Sequence, residues 1–178
     1  MKSNHEINLR PIREEDVGVL MELNNSREVS NMVVGNANVV TMEQQLKWMS
    51  NLENEKTTKR WMIDCGQTPV GTVFLSAIDN TNKTCNVNIK ILPEFQGQGI
   101  AKDAITKVCE IAFTELHMFC ITANVLSYNI GSQMLFRKIG FHQDGILRSR
   151  VIKNAERCDL IAFSLLKTDL GENERNRQ

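Results

Sequence analysis

Six consecutive residues, Gln96-Gly97-Gln98-Gly99-Ile100-Ala101, set two positions without side chains between an alternating stretch, "CNVNIKIL", and a helical one. A strand that turns through glycines into a helix exposes unpaired N–H groups at the positive end of the helix dipole. That geometry suits an anion such as a phosphate. Two phosphate-loop patterns do not apply, because no G-K-[ST] is present and G-x-G-x-x-G would need a third glycine near Asp103. An anion held by backbone amides survives, beside the plainer reading of a tight connection.

The elements around this turn follow from periodicity. "INLRPI" alternates as a strand, and "REEDVGVLMELNN" follows as a helix with acidic residues at its start and Val17, Leu20 and Leu23 on one face. "SREVSNMVVGNANVV" reads as a mobile loop. Thr41 and Gln44 form a T-x-x-Q capping box for a second helix carrying Leu46, Met49 and Leu52. "RWMIDCG", "PVGTVFLSAI" and "CNVNIKIL" make an antiparallel meander, after which Ile100, Ala104, Ile105, Val108, Ile111 and Ala112 mark a helix running to about Leu116. "FCITANVL" is a strand, "IGSQMLFRKIG" a helix stopped by Gly140, and "DLIAFSLL" the last strand. The expected class is α+β, a mixed, mostly antiparallel twisted sheet flanked by helices, in a single domain over residues 1–168. Residues 169–178, "DLGENERNRQ", read as a polar, frayed tail.

Composition narrows the function classes. With 178 residues and 42% apolar content the chain suits one domain with a proper core. Twenty-one basic and twenty-one acidic side chains cancel, which gives no reason to expect nucleic acid or an anionic membrane as partner. The apolar runs are too short to cross a bilayer and the N-terminus has no signal-peptide core, so a cytoplasmic protein is expected. Five cysteines with no C-x-x-C pair and no histidines at ligand spacing read as small hydrophobes, with no metal site.

Gln96-Gly97-Gln98-Gly99-Ile100-Ala101 resembles Q/R-x-x-G-x-G/A, the acetyl-CoA pyrophosphate loop of the GNAT N-acetyltransferases. "NIGSQMLFRKIGF" resembles the family's N-x-x-S/A-x-x-x-Y-x-K-x-G-F, with Asn129, Ser132, Lys138, Gly140 and Phe141 in place. The likeness extends over roughly Ile7 to Leu166. It implies the GNAT fold, acetyl-CoA as cosubstrate, and direct attack by an amine on the thioester. It places the Ile89 amide against the acetyl oxygen, Ile91 along the pantetheine, and the amides from Gly97 to Ala101 around the pyrophosphate. Gln96 would set the turn, and Asn129, Ser132 and Phe136 would line the cofactor arm. A homodimer is a family expectation as well.

Two departures bear on catalysis. The family's tyrosine near the sulfur is Phe136 here, which cannot donate a proton, and Tyr128, the only tyrosine, is weighed as substitute acid against a packing role. The acidic residue that relatives carry early in the third meander strand is replaced by Cys85 and Asn86. Asp79 and Glu94 are candidate bases that read more readily as turn or surface residues, and His142 one that reads more readily as a loop histidine. These departures keep open a silent acetyl-CoA-binding module. The segment from Leu23 to Leu52 is similar to enzymes that acetylate nucleotide-linked amino sugars, although Gln45 stands where they have histidine. The same layout is similar to ribosomal-protein and spermidine acetyltransferases. A polyamine site needs carboxylates, and the loop from Ser26 to Val40 has only Glu28. A sugar nucleotide could use Arg10, Arg13, Arg27, Lys47, Trp48 and Trp61, and is the favoured acceptor.

Overall fold

The computed structural model describes residues 6–35 and 39–169. Seven strands form one sheet: β1 (Ile7–Arg10), β2 (Lys59–Cys65), β3 (Thr68–Asp79), β4 (Thr84–Ile91), β5 (Cys120–Leu126), β6 (His142–Lys153) and β7 (Glu156–Leu166), in the order β1-β2-β3-β4-β5-β7-β6. Five helices flank it: α1 (Val17–Asn25), α2 (Arg27–Met32), α3 (Met42–Met49), α4 (Ile100–Thr114) and α5 (Ile130–Ile139). All neighbouring strands are antiparallel except β4 and β5.

The expected meander, the long helix and the strand-helix pair after it stand as read. The helical stripe of Ile100, Ala104, Ile105, Val108 and Ala112 is buried and joins Val73, Leu75, Val87 and Ile91 from the sheet in one core. Phe113 and Phe163 are fully buried there. Removing either ring would cost about 3–5 kcal/mol, the transfer energy plus the cavity left behind. All five cysteines are free, with Cys85 and Cys109 buried and the others half-buried.

Three readings need correction. Arg27–Met32 is a short helix, since the Ser26 side chain accepts from the Val29 N–H and caps it. Residues 36–38 of the expected loop, and 170–178 of the expected tail, lie outside the described residues. In α3 the Thr41/Gln44 capping box is present, but the buried residue is Gln45, while Leu46 is exposed. His142 is no loop residue: it opens β6, an edge strand whose residues are largely exposed and therefore show no apolar alternation. That strand returns through Asn154 and Ala155, both at positive φ, into β7. The pair of positive φ values matches the primed two-residue hairpin turn.

The sheet is two half-sheets with a narrow join. β1 to β4 are paired along their lengths, and so are β5 and β7. Between β4 and β5 only three parallel pairs form, Thr84↔Cys120, Cys85↔Ile121 and Asn86↔Thr122. Beyond Asn86 each strand follows its own outer neighbour, and the sheet opens.

Candidate active site

The opening creates a set of free peptide groups. The Leu92 N–H donates to the Val70 carbonyl oxygen on β3 over 2.9 Å, and the Cys85 carbonyl oxygen accepts from the Thr122 hydroxyl on β5. Peptides alternate along an antiparallel strand, so even-numbered amides of β4 face β3 and odd-numbered ones face β5. With β5 gone after Asn86, the Ile89 and Ile91 amides point into the gap. The Ile91 carbonyl is the exception among these groups, accepting from Gln96 Nε2 over 2.9 Å.

That glutamine links the strand end to the glycine turn. Gly97 has φ +74° and Gly99, at the N-cap of α4, has φ +87°, values that favour glycine over any residue with a Cβ. A Cβ on Gly97 would meet no atom within 4 Å, so its space is open. Among the described residues, no N–H from Gly97 to Ala101 donates a hydrogen bond. The Gln98 side chain donates away from the turn, to the Glu94 carbonyl oxygen.

Alongside the gap lies a cavity of ≈ 590 Å³, bounded by α1 to α3 on one side and by β5 and α5 on the other. Ile89, Asn129, Ser132 and Phe136 line it. The glycine turn, Ile91 and Tyr128 do not. Phe136 is buried in an aromatic group, 5.0 Å from the Phe141 ring and 6.0 Å from Phe163. Asn129 caps α5 by accepting from the Ser132 N–H over 3.0 Å, and its Nδ2 donates to the Met32 carbonyl oxygen over 2.9 Å.

Tyr128 is engaged elsewhere. Its hydroxyl donates to the Asn31 carbonyl oxygen over 2.6 Å, and desolvation raises its pKa. Lys153 donates to the carbonyls of Ser30 and Gly35. Four carbonyls of the segment Ser30–Gly35 are therefore held by residues from the far side of the sheet, and Ser30, Met32, Val33, Val34 and Gly35 wall the cavity. The α2 C-terminus, too short to satisfy itself, is capped in this way.

The candidate bases lie away from this place. Asp79 accepts from the Thr81 and Asn82 amides and the Asn82 side chain, bonds that hold its carboxyl below its usual pKa in a turn. Glu94 and His142 are exposed and line no part of the cavity. Nor do the basic residues expected for an acceptor: Arg10 is held by Asp16 and Asp64, and Arg13 pairs with Glu15. Trp48 lines the cavity, whereas Trp61 packs against the core.

The cations that do line it are Lys90 and Arg60, which sequence reasoning passed over. Lys90 continues the polar face of β4 after Asn86 and Asn88, a pattern indistinguishable from a solvated edge until α1 is seen to cover it. Its ammonium donates to Asn24 Oδ1 over 2.9 Å. Desolvation, with the charges of Arg60 and Lys153, pushes its pKa down. Arg60 pairs with Glu55 and stacks between Trp48 and Phe74, 5.3 and 4.6 Å from the ring centres. No Asp or Glu lines the cavity among the described residues.

Among the described residues, no helix is long and apolar enough to cross a membrane, and no group of three or more His, Cys, Asp or Glu could hold a metal ion. Comparison with known proteins agrees with the geometry. The chain is 28% identical over 164 residues to the uncharacterized N-acetyltransferase YoaA of Bacillus subtilis, covering 89% of this chain and 92% of that protein. It is 25% identical over 167 residues to the spermidine N(1)-acetyltransferase of Escherichia coli K12, covering 94% and 89%. The fold superposes with TM-score 0.86 and 22% identity on a spermidine N-acetyltransferase from Vibrio cholerae solved with CoA and spermine, over 92% of this chain and 96% of that one. Residues 6–142 match the acetyltransferase (GNAT) domain model, and the chain, an N-acetyltransferase by fold and kinship, belongs to the GNAT family.

Proposed function

We propose that the protein transfers the acetyl group of acetyl-CoA to a primary amine by direct attack, with a nucleotide-linked amino sugar as the favoured acceptor. The observation that carries this reading is the gap between β4 and β5, faced by the Ile89 and Ile91 amides and close in sequence to the unpartnered amides of the glycine turn. The residues present fit acetyl-CoA, since the amides from Gly97 to Ala101 have no partner among the described residues and the space that a Cβ on Gly97 would enter is open. When bound, acetyl-CoA supplies an activated acetyl thioester.

The amides from Gly97 to Ala101, at the positive end of α4, hold the pyrophosphate, and Gln96 fixes the turn that presents them. The Ile91 N–H pairs with the pantetheine arm. The Ile89 N–H donates to the acetyl oxygen and steadies the negative charge that gathers there during attack. Asn129, Ser132 and Phe136 wall the α5 side of the site.

Proton movement needs little from the side chains. Lys90 and Arg60 disfavour a protonated amine beside them, so the acceptor amine attacks the thioester carbonyl as its free base, the CoA thiolate leaves, and water takes the proton that the new amide nitrogen sheds. Tyr128 serves the α2 segment and not the leaving thiolate.

The polyamine acceptors named for relatives support a second reading. Against it, two or three ammonium charges would meet two cations and no carboxylate among the described residues of the cavity lining. Thiol release from acetyl-CoA, followed with a nucleotide-linked amino sugar, spermidine and a peptide with a free N-terminus, separates these acceptors. Binding of acetyl-CoA without release for any of them would favour a silent binding module instead.

A further inference from the structure

One lysine orders two polar side chains, Asn24 and Gln45, on the α1–α3 wall of the cavity. An ammonium has only donors, so Asn24 must turn its oxygen toward Lys90 and its NH2 away. That NH2 donates to Gln45 Oε1 over 3.0 Å, which makes Gln45 Nε2 the far end of the chain. Gln45 is 1% exposed, and its Nε2 has no partner among the described residues. A buried donor left in this state is costly, and it ends a chain of bonds whose other end, Lys90, lines the cavity.

Among the described residues, the charged side chains that line the cavity, Lys90 and Arg60, are both cations. Lys90, Asn24, Gln45 and Arg60 line the same cavity. Glu55 occupies Arg60 through Nε and Nη2 but does not line it. Lys153, the other cation felt by Lys90, is committed to the Ser30 and Gly35 carbonyls. Lys90 has given one of its three hydrogens to Asn24, and two remain for a ligand.

We propose that this wall is an anion subsite, in which Lys90, backed by Asn24 and Gln45, binds a carboxylate or phosphate carried by the amine acceptor. The enzyme thereby selects amines that bear negative charge, and Lys90 is a specificity-determining residue. The proposal rests on the acetyl-transfer reading of the cavity. It also gives a reason for a lysine at a half-buried position facing a helix, where an apolar residue would pack at lower cost.

Matched amines test it. Thiol release is measured with O-phosphoethanolamine against ethanolamine, and with β-alanine against β-alaninamide, which separates phosphate from carboxylate. The expected result is a kcat/KM at least tenfold higher for the charged member of one pair, with K90M lowering that ratio at least tenfold and K90R restoring most of it. Equal rates within both pairs, or a ratio unchanged in folded K90M, would overturn the subsite. Calorimetry with the same four amines provides a readout independent of turnover. If no amine releases thiol, binding of a charged amine to the wild type that is lost in K90M keeps the subsite and removes acetyl transfer from the reading. Absence of such binding as well would overturn the subsite.

Discussion

The Tyr128 hydroxyl and the Asn31 carbonyl oxygen, 2.6 Å apart and 97 residues distant in sequence, tie the start of α5 to the end of α2. A hydroxyl donated to a backbone carbonyl is poorly placed to protonate a thiolate. General acids contribute about 10²–10⁴-fold to rate. Y128F should therefore lower kcat by less than about tenfold, and its main effect should be a raised KM for the acceptor as the Ser30–Gly35 wall loosens. Steady-state kinetics of Y128F would show a loss in kcat of two orders or more, at unchanged KM, if the tyrosine were the acid.

The alternation of amides along β4 yields a paired test by proline. At position 89 the N–H faces the open gap, and proline removes it without breaking the ladder to β3. I89P should lose about 10²-fold in kcat, the effect of deleting one oxyanion donor, while its Tm moves little. At position 88 the N–H faces β3, and N88P should drop Tm sharply. Equal loss of Tm in both variants would mean that the Ile89 amide belongs to the ladder and not to the gap.

Much of the fold could be read from the chain because the elements that bury one face declare their period. The Ile100–Ala112 stripe is one such element, and the meander strands are others. β6 could not be read this way, since an edge strand with both faces largely wet carries no alternation. Gln45 misled for the opposite reason: α3 turns a polar residue inward, toward Asn24, and leaves Leu46 in solvent. The glycine turn was legible because backbone chemistry needs glycine itself. Lys90 was not, because its partner Asn24 lies 66 residues away and only the packing of α1 on the sheet joins them.

Gly97 combines a positive φ with open space, and the two effects fall on different measurements. G97A places a Cβ in a left-handed conformation that costs about 1–2 kcal/mol locally. It meets no chain atom, so the fold should survive with a Tm lower by only a few degrees. The Cβ would stand where the pyrophosphate is expected, and acetyl-CoA should bind roughly tenfold more weakly or worse, as one lost contact of about 1.4 kcal/mol implies. Calorimetric titration with acetyl-CoA checks this. Unchanged affinity in a folded G97A would move the pyrophosphate site elsewhere.

The strongest electrostatic dependence of stability should come from the entry to α1. Arg10 spans Asp16 with two bonds of 2.8 Å and reaches Asp64 at 2.6 Å, while the Arg13 N–H donates to Asp16 over 2.7 Å. Asp16 is 1% exposed. Burial alone would raise its pKa, but the bonds from Arg10 and the Arg13 amide hold it below the ordinary value. A carboxyl depressed in the native state stabilises the fold above its unfolded pKa, near 3.9, and that contribution fades as pH falls through the lower native value. R10M leaves a buried carboxylate unpaired and should cost about 3–5 kcal/mol at pH 7. In that variant burial acts on Asp16 without Arg10 opposing it, so its pKa rises and acidification relieves the penalty. Urea unfolding of the wild type and R10M at pH 7 and near pH 4.5 should show the gap between them narrowing at the lower pH. A gap independent of pH would mean that Arg10 stabilises the α1 entry by packing and not by its charge.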